Sequence, residues 1–108
     1  MIEVRIKRNE ASDIIGFRVS GHAFFADAGK DIICAAVSML TINTINAIES
    51  FCDDKADVTV DKEKGFIEAI LSGDPGEGSK LLLKTFHLGV TSIENKYGSS
   101  YVKVLEES

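Results

Sequence analysis

Residues 32–52 carry apolar side chains at helical spacing and constrain the fold more than any other segment. Residues three and four positions apart lie on one face of a helix, so this spacing predicts a helix that buries that face. The predicted stripe comprises Ile33, Val37, Leu40, Ala47, Ile48 and Phe51. Ile42 and Ile45 widen it, so we expect the helix to be covered on more than one side. Asp31 precedes the helix and is a good N-cap, because its carboxylate can accept a hydrogen bond from a first-turn amide.

Several other segments alternate apolar and polar residues with a period of two, which is typical of half-buried strands. The predicted strands are residues 2–7, 14–20, 56–62, 66–72 and 101–105. A second helix is predicted at 80–96, with Gly98 as its C-terminal cap. Leu82, Phe86, Val90 and Ile93 lie on one face of it.

The resulting order of elements is ββαββαβ, within a chain of 108 residues that fits one domain. We therefore predict an α+β fold with two layers. A mainly antiparallel sheet forms one layer, and two helices packed on one of its faces form the other.

Composition limits the classes of function. The net charge is −5, and an acidic surface repels phosphate backbones, so direct nucleic-acid binding is not expected. The start, MIEVRIKRNEA, alternates apolar and polar residues and lacks the apolar core of a signal peptide. We also find no stretch that approaches the roughly 20 apolar residues of a membrane span. We therefore expect a cytoplasmic protein without a membrane partner, in which both cysteines are thiols.

The segment GHAFFADAGKDIICAAVS, residues 21–38, places His22 twelve positions before Cys34. With Asp31 as the cap, Cys34 is the third helical residue, beside first-turn amides and the positive end of the helix dipole. That position favours the thiolate, which is the attacking species. A neighbouring imidazole from His22 could deprotonate the thiol and later protonate a leaving amine. This stretch is therefore a candidate nucleophile–base pair.

The alternation of side chains along the second strand would direct His22 away from Cys34 unless the chain bends. His22 falls on the same side of its strand as Arg18 and Ser20, away from the inward-facing residues. Gly21 is the residue that would permit the bend. Ser38 lies one turn after Cys34 and shares its face of the helix.

The segment resembles the signature of the ribosomal-processing cysteine protease family, called Prp. The matching residues are Gly21-His22-Ala23, Asp31 and Cys34-Ala35-Ala36-Val37-Ser38. The hairpin before them and the ββαβ order after them also match the family's layout, so the resemblance covers nearly the whole chain.

The resemblance implies a homodimeric cysteine endopeptidase that removes a short N-terminal extension from a large-subunit ribosomal protein. It implies His22 as base and Cys34 as nucleophile, with Gly21, Asp31 and Ser38 as supporting site residues. No cofactor is implied. Asp31 has two possible roles: it could cap the helix, or it could orient His22 as a third member of a triad.

Other classes of function are weighed against this one. A non-catalytic ribosome-assembly module could dock through an apolar outer face of the sheet, formed by Phe66, Ile70, Tyr101 and Leu105.

Three further kinds of site have little support in the sequence. A thiol-redox site is not indicated, because there is no CxxC motif. The spacing of the cysteines and histidines, including His87, matches no metal-ligand pattern. In GDPGEGSK, the lysine follows the serine, unlike the order in a phosphate-binding P-loop.

Overall fold

The computed structural model describes residues 1–21 and 32–107. The element order there is the predicted ββαββαβ. The strands are β1 (Ile2–Arg8), β2 (Ile14–Ser20), β3 (Ala56–Asp61), β4 (Phe66–Leu71) and β5 (Val102–Glu107). The helices are α1 (Ile32–Phe51) and α2 (Glu77–Tyr97).

The five strands form one mixed sheet in the order β3-β4-β2-β1-β5. All neighbours pair antiparallel except β1 and β5, which run parallel. Alternate residues of the central strands are buried, because successive side chains point to opposite faces of a sheet. Both helices contribute to the same core cluster as those residues. The predicted two-layer α+β fold is confirmed.

The buried face of α1 is rotated from the predicted stripe. Its buried residues are Cys34, Val37, Thr41, Thr44, Ile45 and Ile48. Phe51, which we placed in the stripe, is instead 84% exposed. The two threonines are buried because their hydroxyls donate to the carbonyl oxygens of Val37 and Leu40, at 2.7 and 2.6 Å. A hydrogen-bonded hydroxyl can be buried at little cost, so a polar residue type sits at the centre of the face.

The second helix begins three residues earlier than predicted, at Glu77 instead of Lys80. The early start is supported by Asp54, whose carboxylate accepts the Gly76 N–H at 3.0 Å. At the other end, Gly98 caps the helix as predicted. It adopts φ of 101° and donates its N–H to the carbonyl oxygen of Glu94 at 2.8 Å.

By length and composition, α1 could cross a membrane, with a mean hydropathy of 1.5. The expectation that no stretch approaches such a span is therefore wrong by this criterion. A core helix of a soluble protein meets the same criterion, and α1 here packs one face against the core.

The outer face of the sheet carries many charges. Lys7 lies 3.2 Å from the Glu68 carboxylate, and the Arg18 guanidinium lies 4.0 Å from the centre of the Phe66 ring. Phe66 and Ile70 are half-buried. The continuous apolar outer face that would favour a docking module is therefore interrupted by charged side chains.

Candidate active site

Cys34 is the third residue of α1, as predicted from the position of Asp31. The first amides of a helix have no acceptor within the helix, so they can stabilise negative charge nearby. The side chain is 3% exposed and belongs to the core cluster. Ser38 lies one turn later and is half-buried. The first turn of α1 therefore places the Cys34 side chain near helix-terminal amides and against the protein interior.

The course of the chain places Cys34 toward one end of the sheet. After α1 ends at Phe51, a short connection reaches Ala56, which pairs with Leu71 at the opposite end from Ser20. A helix of 20 residues spans about 30 Å, which is longer than any strand of this sheet. The start of α1 therefore lies toward the end of the sheet where β2 finishes.

Gly21 follows the last residue of β2 and turns the chain. It adopts φ of 107°, which side-chain-bearing residues rarely adopt. Its N–H donates to the carbonyl oxygen of Gly65 at 3.1 Å. A Cβ at this position would lie 2.4 Å from the carbonyl oxygen of Met1, so there is also no room for a side chain. The chain therefore turns at Gly21, the residue at which the sequence predicts a bend.

His22 and Asp31 lie outside the described residues. The other predicted site residues, Gly21, Cys34 and Ser38, are described, and all three are near the end of β2 or the start of α1.

The second cysteine and the second histidine lie elsewhere. Cys52 directly follows α1 and is half-buried, with its sulfur 3.1 Å from where a Cβ on Gly78 would be. The His87 Nε2 atom lies 3.3 Å from the Glu106 carboxylate. Within residues 1–21 and 32–107, no group of three or more His, Cys, Asp or Glu side chains could hold a metal ion.

Asp54, in the connection between α1 and β3, has a role that local sequence patterns do not indicate. The Ser79 hydroxyl and the Gly76 N–H together hold the pKa of Asp54 below its usual range, with burial opposing them. The cap is the hydrogen bond from the Gly76 N–H, which has good geometry at 3.0 Å. The Ser79 hydroxyl lies near the same carboxylate, but it does not meet the distance and angle criteria for a hydrogen bond. No sequence signal pairs the two, since Asp54 lies 22 positions before Gly76.

Comparison with known proteins connects this arrangement to a family. The family model described as cysteine protease Prp matches residues 1–103. The ribosomal processing cysteine protease Prp of Mycoplasma genitalium is 31% identical, and the match covers 100% of this chain and 98% of the relative. The protein of the same name from Bacillus subtilis is 29% identical over 90% of each chain.

Solved structures share the fold. The ribosomal processing protease Prp of Staphylococcus aureus, in complex with a covalently linked product peptide, superposes with a TM-score of 0.88. Its sequence is 24% identical, and the match covers 99% of this chain and 100% of that one. A Streptococcus mutans protein has a TM-score of 0.82 at 27% identity, over 99% of both chains. The match to the family model spans almost the whole chain and includes the Gly21 bend and Cys34, so this chain belongs to the cysteine protease Prp family.

Proposed function

We propose that this protein is a cysteine endopeptidase that removes a short N-terminal extension from a large-subunit ribosomal protein. The observation that carries the proposal is the position of Cys34 at the third residue of α1, in a chain that matches a cysteine protease family over residues 1–103. The relatives' names, which specify ribosomal processing, support the class of substrate. Since that substrate is a ribosomal protein, the reaction takes place in the cytoplasm.

Cys34 and His22 act as nucleophile and base. The Cys34 thiolate attacks the scissile carbonyl carbon, and the resulting oxyanion is stabilised by nearby backbone amides. The protonated imidazole of His22 gives its proton to the leaving amine as the C–N bond breaks, which leaves a thioester on Cys34. His22 then takes a proton from water, the hydroxide attacks the thioester, and the Cys34 sulfur leaves as the peptide acid is released.

The test of the nucleophile is incubation with the unprocessed ribosomal protein, followed by mass spectrometry of the new N-terminus. We expect Cys34→Ala to abolish cleavage while still binding the substrate. Cys52→Ala is the matched control, because Cys52 lies past the other end of α1. Cleavage by Cys34→Ala at the wild-type rate would overturn the proposal.

The test of the base uses the two histidines of the chain in the same way. His22→Ala should reduce kcat by at least about 100-fold, which is the scale of general-base catalysis. His87→Ala should leave kcat unchanged, because His87 interacts with Glu106 on α2 and β5. Equal losses in both variants would contradict the assignment.

For Asp31 we propose the capping role, supported by the start of α1 at the next residue, Ile32. Asn is also a good N-cap, so Asp31→Asn should keep both stability and most of kcat. A large fall in kcat with an unchanged melting temperature would instead favour orientation of His22.

We also propose a homodimer, formed through the outer face of the helices. Among the described residues, this face exposes Met39 and Ile32 on α1 and Leu81 and Leu88 on α2, each more than half exposed. Exposed apolar side chains on two neighbouring helices favour a partner surface. Sedimentation velocity should detect a dimer that Met39→Glu weakens by about tenfold or more. Tyr101→Glu, on the sheet side, is the control, and a monomer at all concentrations would refute the proposal.

A further inference from the structure

The two edges of the sheet differ in how they are protected. At the β5 edge, the Glu94 carboxylate of α2 accepts the Val104 N–H at 2.8 Å. Glu106 of the same strand contacts Arg8 at 2.8 Å and His87 at 3.3 Å. A side chain that occupies an edge amide prevents another strand from pairing there. The β5 edge is therefore closed.

The β3 edge is open in the part of the chain that the structure describes, where β3 pairs with β4 on one side and with no strand on the other. The Ser72 N–H donates to the carbonyl oxygen of Lys55, so this pair is hydrogen-bonded. Bonded and non-bonded pairs alternate along antiparallel strands. The N–H and C=O groups of Ala56, Val58 and Val60 therefore point away from β4, available to an added strand.

The same strand exposes apolar side chains on the helix side of the sheet. Val58 and Val60 pair with Ala69 and Ile67, which are buried in the core, so all four point to the helix face. Yet Val58 is 40% and Val60 is 57% exposed. An edge strand with free backbone groups and exposed valines is suited to bind an extended peptide.

The open edge runs toward the active site. The connection from Phe51 to Ala56 reverses the chain, so β3 runs back toward the start of α1. Its last residues therefore lie toward the end of the molecule that holds Cys34 and Gly21. A peptide paired with β3 would extend toward the nucleophile.

The other end of the edge is acidic. A cleft of about 430 Å³ lies between the end of α1 and the start of β3. Among the residues that the structure describes, its acidic lining residues are Glu49, Asp53, Asp54 and Asp57, and its basic lining residue is Lys55. Proteins that bind ribosomal RNA neutralise its phosphates with Lys and Arg, so a peptide from such a protein has complementary charge.

We propose that the substrate peptide binds as an added strand on the open edge of β3, with basic residues against the acidic cleft. This inference rests on the proposed function and deepens it, because it assigns the surface that selects an extended, basic ribosomal-protein segment. Main-chain hydrogen bonds to Val58 and Val60 supply affinity, and the cleft supplies preference for cationic side chains.

The direct test measures amide hydrogen exchange by NMR in the Cys34→Ala variant, with and without a synthetic peptide that spans the processing site. We expect the amides of Val58 and Val60 to exchange at least about tenfold more slowly when the peptide is bound. The Thr59 amide points toward β4 and should change little. Binding without protection of Val58 and Val60 would overturn the inference while leaving the proposed function intact. Absence of both binding and wild-type cleavage would overturn the proposed function as well.

A proline substitution tests the same edge through catalysis. Val58→Pro removes one outward N–H and no bond to β4, and proline is tolerated on edge strands at such positions. We expect KM to rise about tenfold with kcat nearly unchanged. Val58→Thr keeps the N–H and is the comparison variant, so its KM should rise much less than that of Val58→Pro. Equal KM values in the two variants would contradict the role of the main-chain N–H. If Val58→Pro does not fold, as judged by circular dichroism, the exchange measurement decides.

Two further measurements test the role of peptide charge and the identity of the strand that occupies the β3 edge. A peptide whose Lys and Arg residues are replaced by Gln should bind at least about tenfold more weakly at low salt, and equal binding would contradict the role of the acidic cleft. Concentration-dependent protection of Val58 and Val60 without peptide would show that a second copy of the chain occupies this edge, and would overturn the inference.

Discussion

Gly21 meets two requirements that together exclude every other residue. Its φ of 107° is one that L-residues rarely adopt, and a Cβ would lie 2.4 Å from the Met1 carbonyl oxygen. Neighbouring backbone cannot move away as a flexible side chain can. This position therefore fixes the turn at the end of β2.

Gly21→Ala should lower the free energy of unfolding by more than the backbone strain alone, which is about 1–3 kcal/mol. Gly73→Ala is a matched control, because Gly73 has φ of 137° but no atom within 4 Å of the added Cβ. Urea denaturation of both variants separates the clash from the strain. Equal losses would mean that the Met1 contact relaxes freely.

The threonines of α1 show that residue type alone does not predict which side chains are buried. Thr41 is fully buried, and Thr44 is 8% exposed. Each hydroxyl donates a hydrogen bond to the carbonyl oxygen four residues earlier, so it needs no hydrogen-bond partner from the surrounding core. Phe51 shows the converse, since its spacing suits the stripe but its place in the last turn exposes it.

At the level of elements, α2 begins with a cap supplied by another segment. Asp54, in the connection between α1 and β3, accepts the Gly76 N–H at 3.0 Å. The carboxylate also lies at the positive end of the α2 dipole, which favours its charged form. One side chain therefore ties the end of α1 to the start of α2.

Asp54→Ala should destabilise the protein by about 1 kcal/mol at pH 7, as for loss of an N-cap. Its folded-state pKa lies below the unfolded value, so its stabilisation is complete above about pH 5. It is lost as the pH falls through the ordinary range near 4 and then through the lower folded-state pKa. The melting temperatures of wild type and variant should therefore converge in acid.

Asp53→Ala is the matched control for that measurement, because Asp53 is exposed on the same connection. We expect its melting temperature to follow that of wild type across the pH range. A stability difference for Asp54→Ala that persisted unchanged at pH 3 would contradict an electrostatic cap.

At the level of the whole molecule, two aromatic rings join the sheet to the helix layer. Phe17 of β2 and Phe86 of α2 stack with their ring centroids 4.1 Å apart and their planes 19° apart. Both side chains are completely buried. Large aromatic side chains dominate core energetics, so this pair holds the two layers together.

Phe86→Ala should therefore cost about 3–5 kcal/mol of unfolding free energy, as for other buried aromatic truncations. Phe51→Ala should change it by less than about 0.5 kcal/mol, because that ring is 84% exposed. Chemical denaturation of the two variants compares them directly. Similar losses in both would mean that Phe51 is covered in solution, as a dimer interface would cover it.

Much of the fold follows from local patterns in the sequence. The period-two alternation of residues such as Ile2, Val4 and Ile6 locates the strands, and helical spacing locates both helices. The start of α1 at Ile32 and the Gly98 cap also follow, because capping depends on neighbouring residues. The same local reasoning put Cys34 in the first turn, and thereby made it the candidate nucleophile.

Features that depend on distant residues needed the tertiary structure. Asp54 caps α2 through Gly76, 22 residues later. Met1 excludes a side chain at Gly21, and Glu94 closes the β5 edge while β3 stays open. The sequence by itself determined the elements, their order and the place of Cys34 in the first turn of α1, because hydrogen bonding and burial within an element repeat with its own period. Only the packing of the elements decided which faces, edges and ends meet, because those contacts join residues with no fixed separation along the chain.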